Sequence, residues 1–365
     1  MLLTAEQKCL LWLSSAEVTP GHLQQLLGQY ETAEGIWDAF GKSGGPRFKD
    51  GTHAILAALH SPSAIDDLLE KLERKNVKLL FRTDKAYPSS LTQIQDPPYL
   101  LYYAGRVGCL TMPMVAIVGN RKASTYGIEM ASMLAGELSR AGVGVVSGLA
   151  RGIDEAAHQA ALAAGGVTVG ILGSGINVPY PPEHTGLLRK IAGGIGLVLS
   201  EYPLDASPVA YHFPHRNRLI SGLSQGVVFV EGRIQSGAMH TVHAALDQGR
   251  EVFAVPGRVG TYGSEGPNAI IRDGARLITS AQELLEDLSL RPAVEKDEGE
   301  EEELTDKQQK IVACLSRESM DMQQLSKALA LPPTELITDI GKLEIFGIVR
   351  REIGNRFYLP IRARQ

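Results

Sequence analysis

Residues 76–288 alternate apolar runs with amphipathic helical patterns, and this alternation constrains the fold more than any other feature of the sequence. Helical patterns lie near 126–140, 153–164, 183–192, 215–223 and 238–248. The apolar runs between them, which we expect to form strands, are Val115–Val118, Val143–Ser147, Val167–Leu172, Leu197–Glu201, Val227–Val230 and Glu251–Val255. Nearly continuous apolar strands separated by helices are typical of a parallel sheet that is covered on both faces. The sequence therefore predicts a doubly wound α/β domain over 71–288.

Different patterns flank this domain on either side. Residues 1–70 carry leucines at three- and four-residue spacing between turns, which predicts a small helical domain of the sterile-alpha-motif or helix-hairpin-helix type. Residues 289–304 include the acidic run EKDEGEEEE, and we expect a linker because like charges repel and no apolar periodicity is present. Residues 305–365 show three helical patterns and then two short strands that meet at Gly354-Asn355, which predicts a winged helix.

The net charge of the chain is −5, but its distribution is more informative than its sum. Residues 295–303 hold seven acidic residues and one lysine, a local charge of −6, which leaves +1 for the rest of the chain. Whole-chain charge therefore neither indicates nor excludes a nucleic-acid partner. The three cysteines form no CxxC pair, which fits a reducing compartment. We see no export signal and no membrane-spanning run, and expect a cytoplasmic protein.

The first candidate binding turn follows the strand Val115–Val118, in the segment VAIVGNRKASTYG. Gly119 allows the backbone to approach a ligand closely, and the N-terminus of the next helix offers unpaired N–H groups to an anion. Arg121, Lys122 and Ser124 add two cations and a hydroxyl group. The alternative is an ordinary strand-to-helix turn capped by a serine or threonine. The two cations favour anion binding.

Two further turns follow later strands. In SGLARGID, Arg151 either contacts phosphate or pairs with Asp154 and fixes the turn. In GSGINVPYPPEH, the third glycine of a dinucleotide-binding GxGxxG motif is missing. Tyr180, held between prolines, either stacks on a base or packs the loop.

The densest basic cluster of the middle domain is YHFPHRNRLISGLS. We place His215, Arg216 and Arg218 in the first turn of a helix, where cations oppose the helix dipole unless an anion meets them. Arginine binds phosphate bidentately, and Tyr211 or Phe213 is suited to stack on an unpaired base. The alternative is that Arg218 pairs with a carboxylate such as Glu231.

The last two candidate segments are EGRIQSGAMHT and SEGPNAIIRDGA. In the first, Ser236 and Gly237 would direct donors into the same crevice, because ligands of doubly wound sheets bind beyond the carboxyl ends of the strands. In the second, Asn268 is a candidate to close the edge, although a plain loop is the simpler reading. We find no Walker motif, no nucleophile elbow around Ser236 and no HExxH spacing. We therefore predict no catalytic residues, no metal and no cofactor.

Taken in order, these segments resemble the bacterial DNA-processing protein A family (DprA, also called Smf). The resemblance rests on VAIVGNRKASTYG, SGLARGID, GSGINVPYPPEH, LSEYP, HFPHRNRLISGLS, SGAMHT, VFAVPG and GPNAIIRDGA, which cover about 115–275. It implies an extended Rossmann fold, a homodimer and single-stranded DNA binding without catalysis. It also implies loading of the recombinase RecA onto incoming DNA during natural transformation, past single-strand-binding protein. The DNA contacts that it implies are Arg121, Arg216 and Arg218, helped by the backbone of Gly119, Ser236 and Gly237.

Two other functions compete with this interpretation. A nucleotide phosphoribohydrolase on a related Rossmann fold would need a PGGxGT-like loop with carboxylates after it, whereas SGAMHTVHAAL supplies no acid before Asp247. A transcription regulator acting through 305–365 would need a recognition helix rich in basic or amide side chains. The third helical pattern there offers Lys342 but also Glu335, Asp339 and Glu344.

Overall fold

The computed structural model describes residues 3–290, 304–316, 318–345, 348–352 and 356–359. The chain divides between residues 293 and 294 into two compact units. The acidic run 295–303 and the Gly354-Asn355 turn lie outside the described residues, so the linker and that turn stay predictions. Among the described residues, no helix is long and apolar enough to cross a membrane.

The first unit begins with short helices, and side-chain caps fix the starts of four of those described before residue 76. The hydroxyl groups of Thr4, Thr19, Thr32 and Ser61 each accept a backbone N–H from the first turn that follows, which satisfies a donor that the helix itself leaves unpaired. The helices described before residue 76 are α1 (Ala5–Ser15), α2 (Pro20–Tyr30), α3 (Ala33–Ala39), α4 (Asp50–Leu59) and α5 (Pro62–Arg74).

A nine-stranded sheet follows in the described part of this unit, in the order β1-β2-β6-β5-β4-β3-β7-β8-β9. Its strands are β1 (Lys78–Phe81), β2 (Leu100–Gly105), β3 (Met114–Val118), β4 (Gly144–Ser147), β5 (Thr168–Leu172), β6 (Leu197–Ser200), β7 (Gly226–Phe229), β8 (Glu251–Ala254) and β9 (Arg276–Leu277). The β1–β2 and β2–β6 pairs are antiparallel, and all the others are parallel. The predicted α/β class is confirmed, and the six predicted strands are β3 to β8. Strands β1, β2 and β9 are additional to those predicted from the sequence.

Helices connect these strands and cover the sheet. They are α6 (Ser89–Thr92), α7 (Thr125–Arg140), α8 (Ile153–Ala163), α9 (Thr185–Gly193), α10 (His212–Gly222), α11 (Gly237–Asp247), α12 (Glu265–Arg272) and α13 (Ala281–Asp287). Two of them differ from expectation. Helix α10 begins three residues earlier than predicted, which places Arg216 and Arg218 beyond its first turn, and Asn268 lies inside α12 rather than in a loop.

The N-terminal helices and the sheet share one apolar core. Trp12 is fully buried and donates from its indole nitrogen to the carbonyl oxygen of Leu56 (2.9 Å). The same cluster of buried side chains includes Leu100 and Tyr102 of β2. The hydroxyl group of Tyr102 lies 3.2 Å from that of Ser14 in α1. The helical segment is therefore packed onto the sheet and belongs to the same compact unit.

The second unit has its own small core. Its described elements are α14 (Asp306–Leu315), β10 (Met320–Asp321), α15 (Met322–Leu329), α16 (Pro333–Ile345), β11 (Arg350–Glu352) and β12 (Arg356–Tyr358). The strands pair antiparallel in the order β10-β12-β11. Ile311, Leu325, Leu336 and Phe357 are among the side chains that close the core. The predicted helices and last two strands are present, β10 is additional, and the winged-helix assignment stays a prediction.

Candidate nucleic-acid interface

A groove with a volume of about 770 Å³ lies at the carboxyl ends of β3 and β7. From β3 the chain builds the sheet toward β6, and from β7 it builds toward β9, so the two strands flank the point where the strand order reverses. Open α/β sheets place their ligands at such a switch point. We call this feature the strand-end groove; its lining includes Gly119, Arg121, Asp154, Tyr180, Phe213, Arg216, Arg233, Gln235, Ser236, Gly237 and Tyr262.

Arg121 lies at the rim of the strand-end groove, on the loop after β3. Its side chain is exposed, and its guanidinium carbon lies 5.6 Å from the ring centroid of Phe213. The Phe213 ring in turn packs against Tyr180, with centroids 5.3 Å apart. A cation beside two aromatic rings offers both charge for a phosphate and apolar faces for a base.

Packing alone already requires a glycine at position 119. A Cβ atom at this position would lie 2.6 Å from Cγ1 of Ile153 and 2.8 Å from the carbonyl oxygen of Glu231. Any larger residue would therefore push away α8 or the segment that follows β7. The residue also lines the groove, so the predicted close approach of a ligand to its backbone stays a prediction.

The N-terminus of α7, where the sequence predicts an anion site, is already occupied by a carboxylate of the protein. The backbone N–H of Ser124 donates to Oε2 of Glu231 (2.8 Å), and the Ser124 hydroxyl accepts the N–H of Gly127 (3.1 Å). Glu231 thus holds the negative charge that a helix N-terminus favours. Ser124 is a helix cap in this structure. Lys122 is exposed on the same loop, outside the lining of the groove.

Arg216 lies under the strand-end groove with only 5% of its surface exposed. Its Nη1 donates to the carbonyl oxygens of Gly148 (2.8 Å) and Ile171, and its Nε donates to Oδ1 of Asn217 (3.1 Å). Burial lowers the pKa of this guanidinium to about 10, so it stays protonated at neutral pH. Arg216 therefore contributes positive charge to the floor of the groove while its donors hold the ends of the strands.

A buried carboxyl group lies close to Arg216. Oδ2 of Asp154 accepts the backbone N–H groups of Gly148 (3.0 Å) and Ala150 (3.4 Å). Burial raises the pKa of Asp154, and the charge of Arg216 opposes that shift. The predicted alternative for Arg151, a pair with Asp154, is wrong, because the Arg151 guanidinium pairs with Glu183 at 2.5 Å on the surface.

Arg218 does not face the groove. Its Nη2 donates to both carboxylate oxygens of Glu201 (2.7 and 2.9 Å), and the side chains are 11% and 10% exposed. The predicted DNA contact through Arg218 is therefore contradicted by a buried ion pair. The carboxylate partner is Glu201, just past the end of β6, and not the Glu231 that the sequence suggested.

His215 and Asn268 also lie outside the lining of the strand-end groove. His215 faces the opposite side of α10, where its Nδ1 lies 3.3 Å from the hydroxyl group of Tyr202. The amide of Asn268 accepts the N–H of Gly257 (3.1 Å) and donates to its carbonyl oxygen (2.9 Å). Both side chains are thus engaged in holding the fold.

The N-terminus of α11 is open toward the groove. Ser236 precedes this helix but makes no side-chain cap, and its hydroxyl oxygen is buried with no hydrogen-bond partner among the described residues. Nothing described lies within 4 Å of a Cβ atom built on Gly237. Unpaired N–H groups at a helix start attract anions. Of the predicted anion-binding turns, this one remains free to bind a ligand.

Two groove residues were missed by the sequence analysis. Arg233 and Tyr262 stack at the far wall, with the guanidinium carbon 4.4 Å from the ring centroid, and Arg233 donates to the tyrosine hydroxyl (2.9 Å). Tyr262 is 66% exposed. Arg233 follows a strand and a glycine, as Arg121 does, and this shared pattern is the sequence feature that could have identified Arg233 as a groove residue. In the described residues, no cluster of three or more candidate ligands could hold a metal ion.

Comparison with known proteins identifies the family. The family model for DNA recombination-mediator protein A matches residues 78–289. Protein Smf of Escherichia coli is 38% identical over 291 residues, which cover 78% of each chain. DNA processing protein DprA of Streptococcus pneumoniae is 43% identical over 202 residues, 55% of this chain and 71% of that protein.

Solved structures agree with this result. The structure of the Streptococcus pneumoniae DprA matches with a TM-score of 0.65 at 34% identity, covering 79% of this chain and 99% of that one. A DprA from Helicobacter pylori, whose structure is described in terms of its single-stranded DNA binding mode, matches with a TM-score of 0.53 at 31% identity, covering 58% and 95%. The chain therefore belongs to the DNA recombination-mediator protein A family.

Proposed function

We propose that this protein binds single-stranded DNA in the strand-end groove and does so without catalysing a reaction. The observation that carries the proposal is the convergence of exposed Arg121 and Arg233, buried Arg216 and the open N-terminus of α11 on one groove. Each of these groups favours an anion. Their number along the groove suits a chain of phosphates better than a single one.

The aromatic side chains of the groove favour single strands over duplex DNA. Phe213 and Tyr180 lie beside Arg121 on one wall, and Tyr262 lies beside Arg233 on the other. Bases stack on such rings only when they are unpaired, and this contact tolerates any sequence because every base has a flat face. We expect phosphates to run past the arginines while bases stack on the rings.

The relatives support this proposal and suggest a cellular role. The Helicobacter pylori relative is described as binding single-stranded DNA, and two relatives are named DNA processing proteins. We propose that the present protein protects incoming single-stranded DNA in the cytoplasm and loads RecA onto it during transformation, past single-strand-binding protein. We also propose that it acts as a homodimer. These roles rest on the family resemblance.

The test is a salt titration of DNA binding by the full chain. We expect tighter binding to single-stranded than to double-stranded oligonucleotides, with affinity falling steeply as salt rises. Arg121→Ala should weaken binding to all sequences alike and reduce the slope of log K against log salt by about 0.7, the value for one phosphate contact on a single strand. Arg189→Ala, an exposed arginine on α9 outside the groove, is the control. Equal effects of the two variants would exclude the groove as the binding site.

The enzymatic alternative is tested by incubation with nucleoside monophosphates. The groove contains the buried carboxyl of Asp154, which accepts two backbone N–H groups. If the protein releases free base at a useful rate and Asp154→Asn abolishes that release, a phosphoribohydrolase would replace the binding function proposed here. We expect no release.

A further inference from the structure

We propose that a second cavity, on the opposite side of α10, receives one unpaired base of the DNA strand that occupies the strand-end groove. This inference rests on the proposed function. The cavity has a volume of about 440 Å³ and lies between the N-terminal helices and the sheet. Its lining includes Glu17, Glu201, Tyr202, Tyr211, His212 and Pro214, and we call it the side cavity.

The side cavity has aromatic walls. The rings of Tyr202 and His212 are stacked, with centroids 3.7 Å apart and planes 21° from parallel. Tyr211 meets His212 edge-on at 4.5 Å and is 69% exposed. An exposed aromatic side chain beside a largely apolar cavity is suited to stack on a flat heterocycle as it enters.

The cavity also contains a buried polar side chain without a hydrogen-bond partner. His212 is 1% exposed, and neither of its ring nitrogens makes a hydrogen bond to any described residue. Its Nε2 lies 3.3 Å from Oε2 of Glu17, outside hydrogen-bond geometry. Leaving buried polar atoms unpaired costs free energy. Because both nitrogens are buried, a ligand in the cavity would pair with them only if the His212 ring or the Glu17 side chain moved toward it.

The charges of the side cavity select a base and reject a phosphate. Glu17 and Glu201 both line it, and Glu201 is already paired with Arg218. A phosphate would be repelled by the carboxylate of Glu17, whereas an exocyclic amino group would donate to it, as the amino group of cytosine does to acidic side chains in protein–DNA complexes. Thymine has no amino group. The cavity should therefore prefer cytosine, adenine or guanine.

The two cavities are neighbours along a single stretch of chain. Pro208 and Ala210 line the strand-end groove, Tyr211 and His212 line the side cavity, and Pro214 lines both. A strand that lies in the groove thus needs to turn only one base across Pro214 to fill the side cavity.

The experiment compares fluorescein-labelled oligo-dC and oligo-dT of equal length at pH 8, by fluorescence anisotropy with the full chain. We expect wild-type protein to bind oligo-dC about fivefold more tightly, the low end of what one specific base contact gives. Glu17→Gln should remove most of this preference, because the uncharged amide also pairs with thymine. Glu31→Gln is the matched control: it is exposed, has a positive φ as Glu17 does, and lies outside both cavities.

Tyr211→Ala provides a second, independent variant, and its exposed side chain can be removed without disturbing the core. It should lower the affinity for oligo-dC more than that for oligo-dT. Equal affinities of the wild-type protein for the two oligonucleotides, or equal changes in both for Glu17→Gln, would overturn the side-cavity proposal. In that case Arg121→Ala still weakens both complexes if the strand-end groove binds DNA, so failure of the two proposals can be told apart.

Discussion

Arginines at the rim of the strand-end groove and arginines on α10 belong to the same domain but are used in opposite ways. Arg121 and Arg233 are exposed and lie against aromatic rings. Arg216 donates to backbone carbonyl oxygens in the interior, and Arg218 is paired with Glu201. Arg121 makes no ion pair with a described residue, and the pair that Arg233 makes with Glu265 (3.4 Å) is exposed to solvent, where it is weak. Most of the charge on α10, by contrast, is already used by the fold. A basic cluster in a sequence is therefore evidence of a binding site only after its internal partners are known.

The largest expected effect is on stability, from Arg218→Ala. This change leaves the Glu201 carboxylate buried without its cation, which typically costs about 3–5 kcal/mol. Urea denaturation should show this loss in the free energy of unfolding, while Arg189→Ala stays within about 0.5 kcal/mol of wild type. If Arg218→Ala instead preserved stability and weakened DNA binding, the distinction between the two sets of arginines would be lost.

Two glycines of the groove test the same distinction between residues that the fold requires and residues that are free to approach a ligand. Gly119→Ala should cost about 1–3 kcal/mol of stability, since its Cβ would overlap Ile153 and the backbone of Glu231. Gly237→Ala meets open space and should leave stability nearly unchanged. Thermal denaturation of the two variants measures the difference. Similar melting temperatures would show that Gly119 is not held by packing.

At the far wall of the groove, the contributions of charge and of base stacking to DNA binding can be measured separately. Tyr262→Ala should weaken binding of single strands by about 1 kcal/mol, the low end for a stacked base because the ring is largely exposed. The slope of log K against log salt should stay constant. Arg233→Ala should instead lower that slope by about 0.7. Identical salt slopes for the two variants would mean that Arg233 makes no phosphate contact.

The smallest expected effect is on the pH dependence of stability, through His215 on the inner side of α10. Burial lowers the pKa of His215 from 6.5 to about 4. Between these values the unfolded chain binds the proton more readily than the folded one, so the contribution of this residue is present above pH 6.5 and is lost as pH falls toward 4. Urea denaturation at pH 7 and 5 should show a smaller decrease for His215→Gln than for wild type. An equal decrease would assign the acid sensitivity to other groups.

The sequence predicts the sheet well because apolar strands and amphipathic helices are local patterns. It misses β1 and β2, which pair antiparallel at one edge of the sheet, and β9, which has only two residues and ends the other edge. The groove turns are also predictable, because the carboxyl ends of parallel strands share one edge. The hydrogen-bond and ion-pair partners of these residues are not predictable from the sequence. Glu231 pairs with Ser124, which lies 107 residues away in the chain. Glu201, the partner of Arg218, follows a different strand from the one expected. Such pairings depend on the tertiary fold.

The packing of Trp12, Tyr102 and Leu100 into one core limits how the molecule can be dissected. A fragment that starts at β1 would retain every lining residue of the strand-end groove, yet would present to water the face of the sheet that the five helices cover. Such a fragment should be more prone to aggregate than the whole first unit, and it would also lack the wall of the side cavity that carries Glu17. The first unit should therefore be kept whole when its DNA binding is measured, and transplanting its groove to another scaffold would require redesigning that apolar face.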